Sequence, residues 1–264
     1  MHVQLLGPVR VSAGKPGILR LLPSTKMRHL LALLAWQPNS FIPDEDAATQ
    51  IWGEELPKDP RAALYTSACR LRRLMGTSVR ERQSPACEVV RRNGGYMLVT
   101  EPGHVDLHGM RQLVRAGRSA QYAGRQEEAY RLFERALAFA DGVPLADLNS
   151  SWADRVRWSL ELELLATRLQ HARLAIASGR AAEVLPALLE LADRHPLDEA
   201  VADALVRALY LSGRQGDALD RYRLVRATLI DQLGQEPGVG LRDLHDLVLR
   251  RDPALSAVIH SVLP

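Results

Sequence analysis

A mainly α chain, with a small α+β part at the N-terminus and an all-α array of helix pairs behind it, is predicted by three observations. An amphipathic helix studded with arginines, residues 60–75, is followed by a hairpin signal around Asn93-Gly94. Short strand-like runs precede that helix. From residue 105 onward apolar residues recur at helical spacing, and the dipeptide Gly-Arg returns at 124, 179 and 213.

The first strands are His2–Gly7, Val9–Ala13 and Ile18–Leu22, set apart by Gly-Pro and Gly-Lys-Pro-Gly breaks. Ser24 or Thr25 opens a helix in which Met27, Leu30, Leu31 and Leu34 recur until Pro38 ends it. Pro43-Asp44 opens a shorter helix carrying Ala47, Ala48, Ile51 and Trp52, closed by Gly53. After the loop 54–59, Asp59 is a candidate N-cap, Pro60 takes the first helical position and Gly76 is the C-terminal stop. On this third helix Leu64, Ala68, Leu71 and Met75 form one apolar stripe, and Ala62, Thr66, Cys69, Arg70 and Arg73 lie opposite. One side packs; the other is available to a groove.

A less regular stretch, 77–87, leads to Glu88-Val-Val-Arg-Arg, then Asn93-Gly94-Gly95, then Tyr96-Met-Leu-Val-Thr. Asn-Gly between strand-like runs is a strong short hairpin signal, since both turn positions tolerate positive φ. Arg91 and Arg92 stand at its tip. Sheet, three helices and hairpin, in that order, are the parts of a winged helix-turn-helix, here spanning residues 1–103. Glu101-Pro-Gly-His104 reads as a linker.

In the second part each of the three copies at 124, 179 and 213 carries Ala or Val five residues after the glycine and an apolar residue four further on. The copies at 179 and 213 are 34 residues apart, the tetratricopeptide period, and Pro196 falls between helices of the middle unit. The wider gap between the first two copies marks an irregular array in which segment 151–178 replaces a standard pair. Residues 104–255 are therefore read as an all-α, tetratricopeptide-like domain, with 256–264 a C-terminal tail.

At 264 residues, with 47% hydrophobic and 25% charged residues, the chain has an ordinary globular balance and room for two domains. Its net charge of +3 hides a sorting: 61–92 holds eight Arg and two Glu, whereas 43–59 holds six acids and one Lys. A basic surface therefore sits beside an acidic one, and the acidic loop 54–59 reads either as a solvated turn or as a protein contact held off DNA. Cys69 and Cys87 are too few for a disulfide framework or a zinc site, and no secretory leader or apolar run near 18 residues occurs, so the expected compartment is the cytoplasm, with no membrane partner.

No phosphate-loop, dinucleotide, zincin or Gly-x-Ser-x-Gly sequence occurs, so no enzyme and no cofactor are expected. His104 and His108 lack a third ligand nearby and are read as surface or capping residues rather than a metal site. Trp52, Trp152 and Trp158 are read as packing anchors. Alone, the arginine row would also suit a solvated face of a structural helix. Together with the wing arginines, the two preceding helices and the charge sorting, it points to DNA.

Several strings resemble the Streptomyces antibiotic regulatory proteins: Arg70-Leu-Arg-Arg-Leu-Met-Gly76, Ile51-Trp52-Gly53, Gly95-Tyr96, Val105-Asp106-Leu107, and above all Ala218-Leu-Asp-Arg-Tyr-Arg223 with Leu233-Gly-Gln-Glu-Pro-Gly-Val-Gly-Leu-Arg-Asp-Leu-His245. The resemblance covers about residues 1–255. It implies an OmpR-type winged helix followed by a tetratricopeptide-like bacterial transcriptional activator domain. The activity it implies is transcriptional activation of secondary-metabolite (antibiotic) genes, by binding direct repeats near the promoter −35 region as a homodimer or side-by-side pair and recruiting RNA polymerase holoenzyme. The loop Glu54–Pro60 is similar to the family's transactivation loop, which makes Glu54 and Glu55 expected polymerase contacts. The chain departs from the family pattern at Tyr65–Cys69 and in the wing, so base preference does not carry over. Larger members append an ATPase or a phosphopeptide module, and neither is expected here.

On this reading Thr66, Cys69, Arg70 and Arg73 face the major groove, and Tyr65 is counted among the DNA contacts. Lys26, Arg28 and Arg61 meet phosphates near helix ends, and Arg91 or Arg92 reaches the minor groove. Cys69 is read as a small contact residue rather than a redox switch. The rivals are a tetratricopeptide-type interaction adaptor, separated by salt-dependent retention on DNA, and a ligand sensor or enzyme, separated by a copurifying ligand.

Overall fold

The structure is a computed structural model that describes residues 2–12, 19–75, 87–140, 142–252 and 255. The expected stop at Gly76, the stretch 77–86, the strand ends at Ala13 and Ile18 and the tail 256–264 lie outside the described residues. The described chain is mainly helical with two small antiparallel sheets, and it divides into two compact units: 1–114 with 135–164, and 115–134 with 165–264. No helix among the described residues is long and apolar enough to cross a membrane.

In the first unit β1 (His2–Gln4), β2 (Arg10–Ser12) and β3 (Leu19–Leu21) form a three-stranded sheet with Val3 opposite Val11 and Val11 opposite Arg20. Helix α1 (Thr25–Trp36) buries Met27, Leu30, Leu31 and Leu34. Strand β4 (Ile42–Pro43) leads into α2 (Asp44–Trp52), whose first turn holds Asp44, Glu45 and Asp46 where the helix dipole favours negative charge. Helix α3 (Pro60–Leu74) follows, then β5 (Cys87–Arg92) and β6 (Gly95–Thr100), in a sheet ordered β4-β6-β5. Asn93 and Gly94 both have positive φ, 32° and 81°, as a two-residue hairpin turn demands.

Residues 102–106 are tied to the first sheet by backbone and carboxylate hydrogen bonds. Residues Pro102–His104 form a single 3-10 turn, Val105 bridges Val3, and Asp106 at the start of α4 (Asp106–Tyr122) accepts the N–H groups of Leu5 at 2.8 Å and Leu6 at 2.9 Å. Asp147 accepts the Val9 N–H at 2.8 Å. Two carboxylates far along the chain thus supply the hydrogen bonds that the turn between β1 and β2 cannot supply to itself.

In the second unit the three Gly-Arg copies build the same turn. Gly124, Gly179 and Gly213 have φ of +74°, +76° and +78°, and the N–H of the arginine that follows each reaches back to the carbonyl of Ala120, Ala175 or Leu209. This is a glycine helix ending that satisfies carbonyls left over by the last turn. The next helix then starts at once: α5 (Gln126–Leu137), α7 (Ala181–Arg194) and α9 (Gln215–Leu233). The repeated small residues Ala129, Val184 and Ala218, and the larger Phe133, Leu188 and Tyr222, are all buried. Asp198 caps α8 (Glu199–Leu211) by accepting from Ala200 and Val201, just after Pro196, and α10 (Val239–Arg250) closes the unit.

Segment 151–178 forms one 27-residue helix, α6 (Ser151–Ala177), in place of a standard pair. Trp152 is buried on it, but Trp158 is 66% exposed and is no packing anchor. Residues 154, 155, 158, 161 and 162 form its exposed row, and Trp158 falls on that row rather than on the buried one.

Candidate nucleic-acid interface

Helix α3 is fixed by its own ends. Asp59 Oδ1 accepts the Ala62 N–H at 2.9 Å, and Pro60 sits at the first turn, where its missing N–H costs nothing. Leu64, Ala68 and Leu71 are fully buried and Met75 nearly so, which sets the helix's rotation. Arg72, not singled out from sequence, donates from Nε to the Val89 carbonyl at 2.6 Å and ties α3 to β5. A cation on the flank of the apolar stripe is the signal that marks it.

That rotation turns Arg61, Tyr65, Thr66, Arg70 and Arg73 outward, with Cys69 half-buried among them. Arg70 and Arg73 form no ion pair among the described residues. Arg61 lies 3.4 Å from Glu45, both well exposed, a geometry that holds an arginine only weakly. The Thr66 hydroxyl donates to the Ala62 carbonyl at 2.9 Å, and the residue stays exposed.

Three of the cations expected at DNA are committed elsewhere. Arg28 pairs with Asp147 at 2.7 Å and donates to the Thr25 hydroxyl at 2.9 Å, with its side chain only 14% exposed. Lys26 donates to the Ile51 carbonyl at 3.2 Å and lies 5.4 Å from the Trp52 ring, so it caps the end of α2. Arg91 and Arg92 occupy successive strand positions, which point to opposite sides. Arg91 leans toward Asp44 at 3.5 Å with its side chain still 37% exposed, and Arg92 is exposed on the other side. Asp44 itself, 3% exposed on its side chain, was not singled out from sequence; an acid at a helix start reads as a dipole partner, and its distant arginine gives no local signal.

The Tyr96 ring beneath Arg91 is fully buried, and burial pushes its phenol above the ordinary range. Burial likewise raises the Cys87 thiol at the foot of β5, which keeps it protonated and inert. The acidic loop leaves α2 at Gly53, φ +63°, and exposes Glu54, Glu55 and Leu56 together. Leu56, 51% exposed, adds an apolar element that charge counting misses. His108 Nε2 lies 3.0 Å from the Ala35 carbonyl and His104 faces the His2 ring edge-on, so the two histidines that are four residues apart serve different neighbours.

An exposed arginine row on a helix locked from behind, with a hairpin alongside, defines a chain built to present one helix face. Residues 105–249 match the family described as Bacterial transcriptional activator domain, and the chain belongs to that family. Its relatives are regulators of the Streptomyces antibiotic regulatory protein type. The transcriptional regulator RedD of Streptomyces coelicolor is 32% identical over 97% of this chain and 72% of its own length. The regulatory protein AfsR of the same organism is 35% identical over 96% of this chain, which spans 24% of AfsR, about a quarter of its length. A solved structure of Mycobacterium tuberculosis EmbR in complex with a low-affinity phosphopeptide superposes with a TM-score of 0.85 at 30% identity, covering 98% of this chain and 69% of that one. These relatives are named as regulators and not as enzymes.

Proposed function

We propose that the chain is a sequence-specific, DNA-binding transcriptional activator without catalysis, acting in the cytoplasm on pathway-specific promoters of secondary metabolism. Residues 1–103 act as a winged helix-turn-helix and 104–255 as a tetratricopeptide-like activator domain. The observation that carries the reading is the outward row Arg61, Thr66, Arg70 and Arg73 on a helix whose opposite stripe is buried. Such a row offers bidentate donors to guanine edges from Arg70 and Arg73 and a phosphate contact from Arg61. Arg92 reaches the minor groove. Arg28 and Lys26 drop out of the contact set, because each already has a protein partner.

Glu54 and Glu55 face RNA polymerase rather than DNA, since acids beside phosphates repel. Two copies sit side by side on direct repeats near the −35 region, as the antibiotic regulatory family suggests. A salt titration of affinity for a promoter duplex tests the whole reading. The slope of log affinity against log salt is expected at about −0.9 for each phosphate neutralised. A flat titration between low and physiological salt removes it.

A further inference from the structure

The inward arginine of the hairpin has a geometry that the DNA reading does not use. Arg91 stands opposite Tyr96 in the β5–β6 register, and its guanidinium lies 5.5 Å from the Tyr96 ring centre and 5.4 Å from the Tyr65 ring centre. Its third neighbour is Asp44 Oδ2 at 3.5 Å. Asp44 is also held by its backbone, donating its N–H to the Gly94 carbonyl at the hairpin tip at 2.8 Å. One residue of α2 thus receives both the tip and the flank of the hairpin.

The three neighbours differ in what surrounds them. Asp44 and Tyr96 are buried, whereas Tyr65 is 50% exposed on the same face of α3 as Thr66 and Cys69. A guanidinium shared between two rings and a carboxylate is a directional contact, stronger where water is partly excluded. Of the two rings it fixes Tyr65, the one that reaches the outer surface. An aromatic ring held there offers an apolar edge to a thymine methyl in the major groove.

Resting on the DNA-binding reading above, we infer that Arg91 is a positioning residue for base recognition: it sets the Tyr65 ring on the reading face of α3 and itself touches no phosphate. A phosphate contact and a positioning contact leave different traces. The first carries a salt slope and no base preference; the second carries base preference and no slope.

The test uses the full chain and a duplex pool with a randomised core, selected with the wild type, Arg92→Ala, Tyr65→Leu, Arg91→Lys and the paired change Asp44→Asn with Arg91→Gln. The pair replaces a buried carboxylate and its partly exposed guanidinium by two amides, so no lone carboxylate is left inside. Arg91→Lys keeps the charge for Asp44 and removes the planar group that stacks. Both Arg91 variants are expected to lose preference at the same base-pair positions as Tyr65→Leu. The paired variant is expected to keep the wild-type salt slope, whereas Arg92→Ala loses about one unit of it.

Wild-type sequence preference in Tyr65→Leu, or in both Arg91 variants, overturns the inference. So does a slope in the paired variant that falls by the same unit as in Arg92→Ala. If the paired variant does not fold, Arg91→Lys against Tyr65→Leu decides, because each leaves Asp44 paired. A flat wild-type titration is a separate result: it removes the DNA reading itself.

Discussion

The guanidinium of Arg28 in α1 lies 2.7 Å from the carboxylate of Asp147, a residue 119 positions further along the chain whose other oxygen accepts the Val9 N–H. The pair is mostly withdrawn from water, at 14% and 17% side-chain exposure. Asp147→Ala is expected to destabilise the fold by about 3 kcal/mol, the usual cost of stranding one member of a buried pair. Chemical denaturation reads this as a lower midpoint at unchanged slope. Arg28→Ala is expected to leave the salt slope of duplex binding at its wild-type value; a loss of about one unit would return Arg28 to the phosphates.

Arg70 lies at the centre of the exposed row of α3 with no ion pair among the described residues, so its replacement disturbs no internal contact. Arg70→Ala is expected to cost roughly 1–3 kcal/mol of duplex affinity, concentrated at one base pair. Thermal stability should stay within about 0.5 kcal/mol of wild type, as for surface positions in general. Equal weakening on all sequences would make Arg70 a phosphate contact and shift base reading to Arg73.

What could be read from the chain and what could not divides along sequence distance. The N-cap of α3, its buried stripe and the three glycine turns are local chemistry: Asp59 meets Ala62, and each turn closes within six residues. The pattern puts Arg28 and Arg91 among the DNA-facing cations; their partners, Asp147 and Asp44, lie 119 and 47 residues away and leave no periodic trace. Trp158 shows the same limit for an apolar residue. Its size argues for burial, and only the rotation of α6, set by Trp152, Val156 and Leu160 on the other side, turns it outward.

Asp106 gives a pH signature. Burial pushes its carboxyl up to about 6, against the pull of the N–H groups of Leu6, Leu5 and Leu107. A folded pKa above the unfolded one means that the folded state holds the proton more tightly. The stability from this group is therefore fully present below about pH 4 and lost as pH rises through about 6. The loss is on the order of 3 kcal/mol at most. Asp106→Asn should be less stable overall, because its amide NH2 opposes a backbone donor, yet it should lack this fall between pH 4 and 6. Equal pH slopes in the two proteins would show that the three N–H donors hold Asp106 ionised throughout.

Binding and activation should come apart at the acidic loop. Glu54 and Glu55 are exposed beside Leu56, and neither forms an ion pair among the described residues, so replacing both with Ala removes charge without unpairing a cation. Duplex affinity is expected to stay equal or rise slightly, because losing like charge near phosphate relieves repulsion. Transcription from the target promoter is expected to fall, since a loop contact worth about 1.4 kcal/mol is a tenfold change in polymerase occupancy when occupancy is low. Asp59 stays intact in this variant: its carboxylate caps α3 at Ala62, and its loss would cost about 1 kcal/mol of helix stability and mix a folding effect into the readout. Leu56→Ala makes the companion change, with the same expected pattern and no change in charge. Full transcription by both variants with binding intact would make the loop a solvated turn and move the polymerase contact elsewhere on the chain.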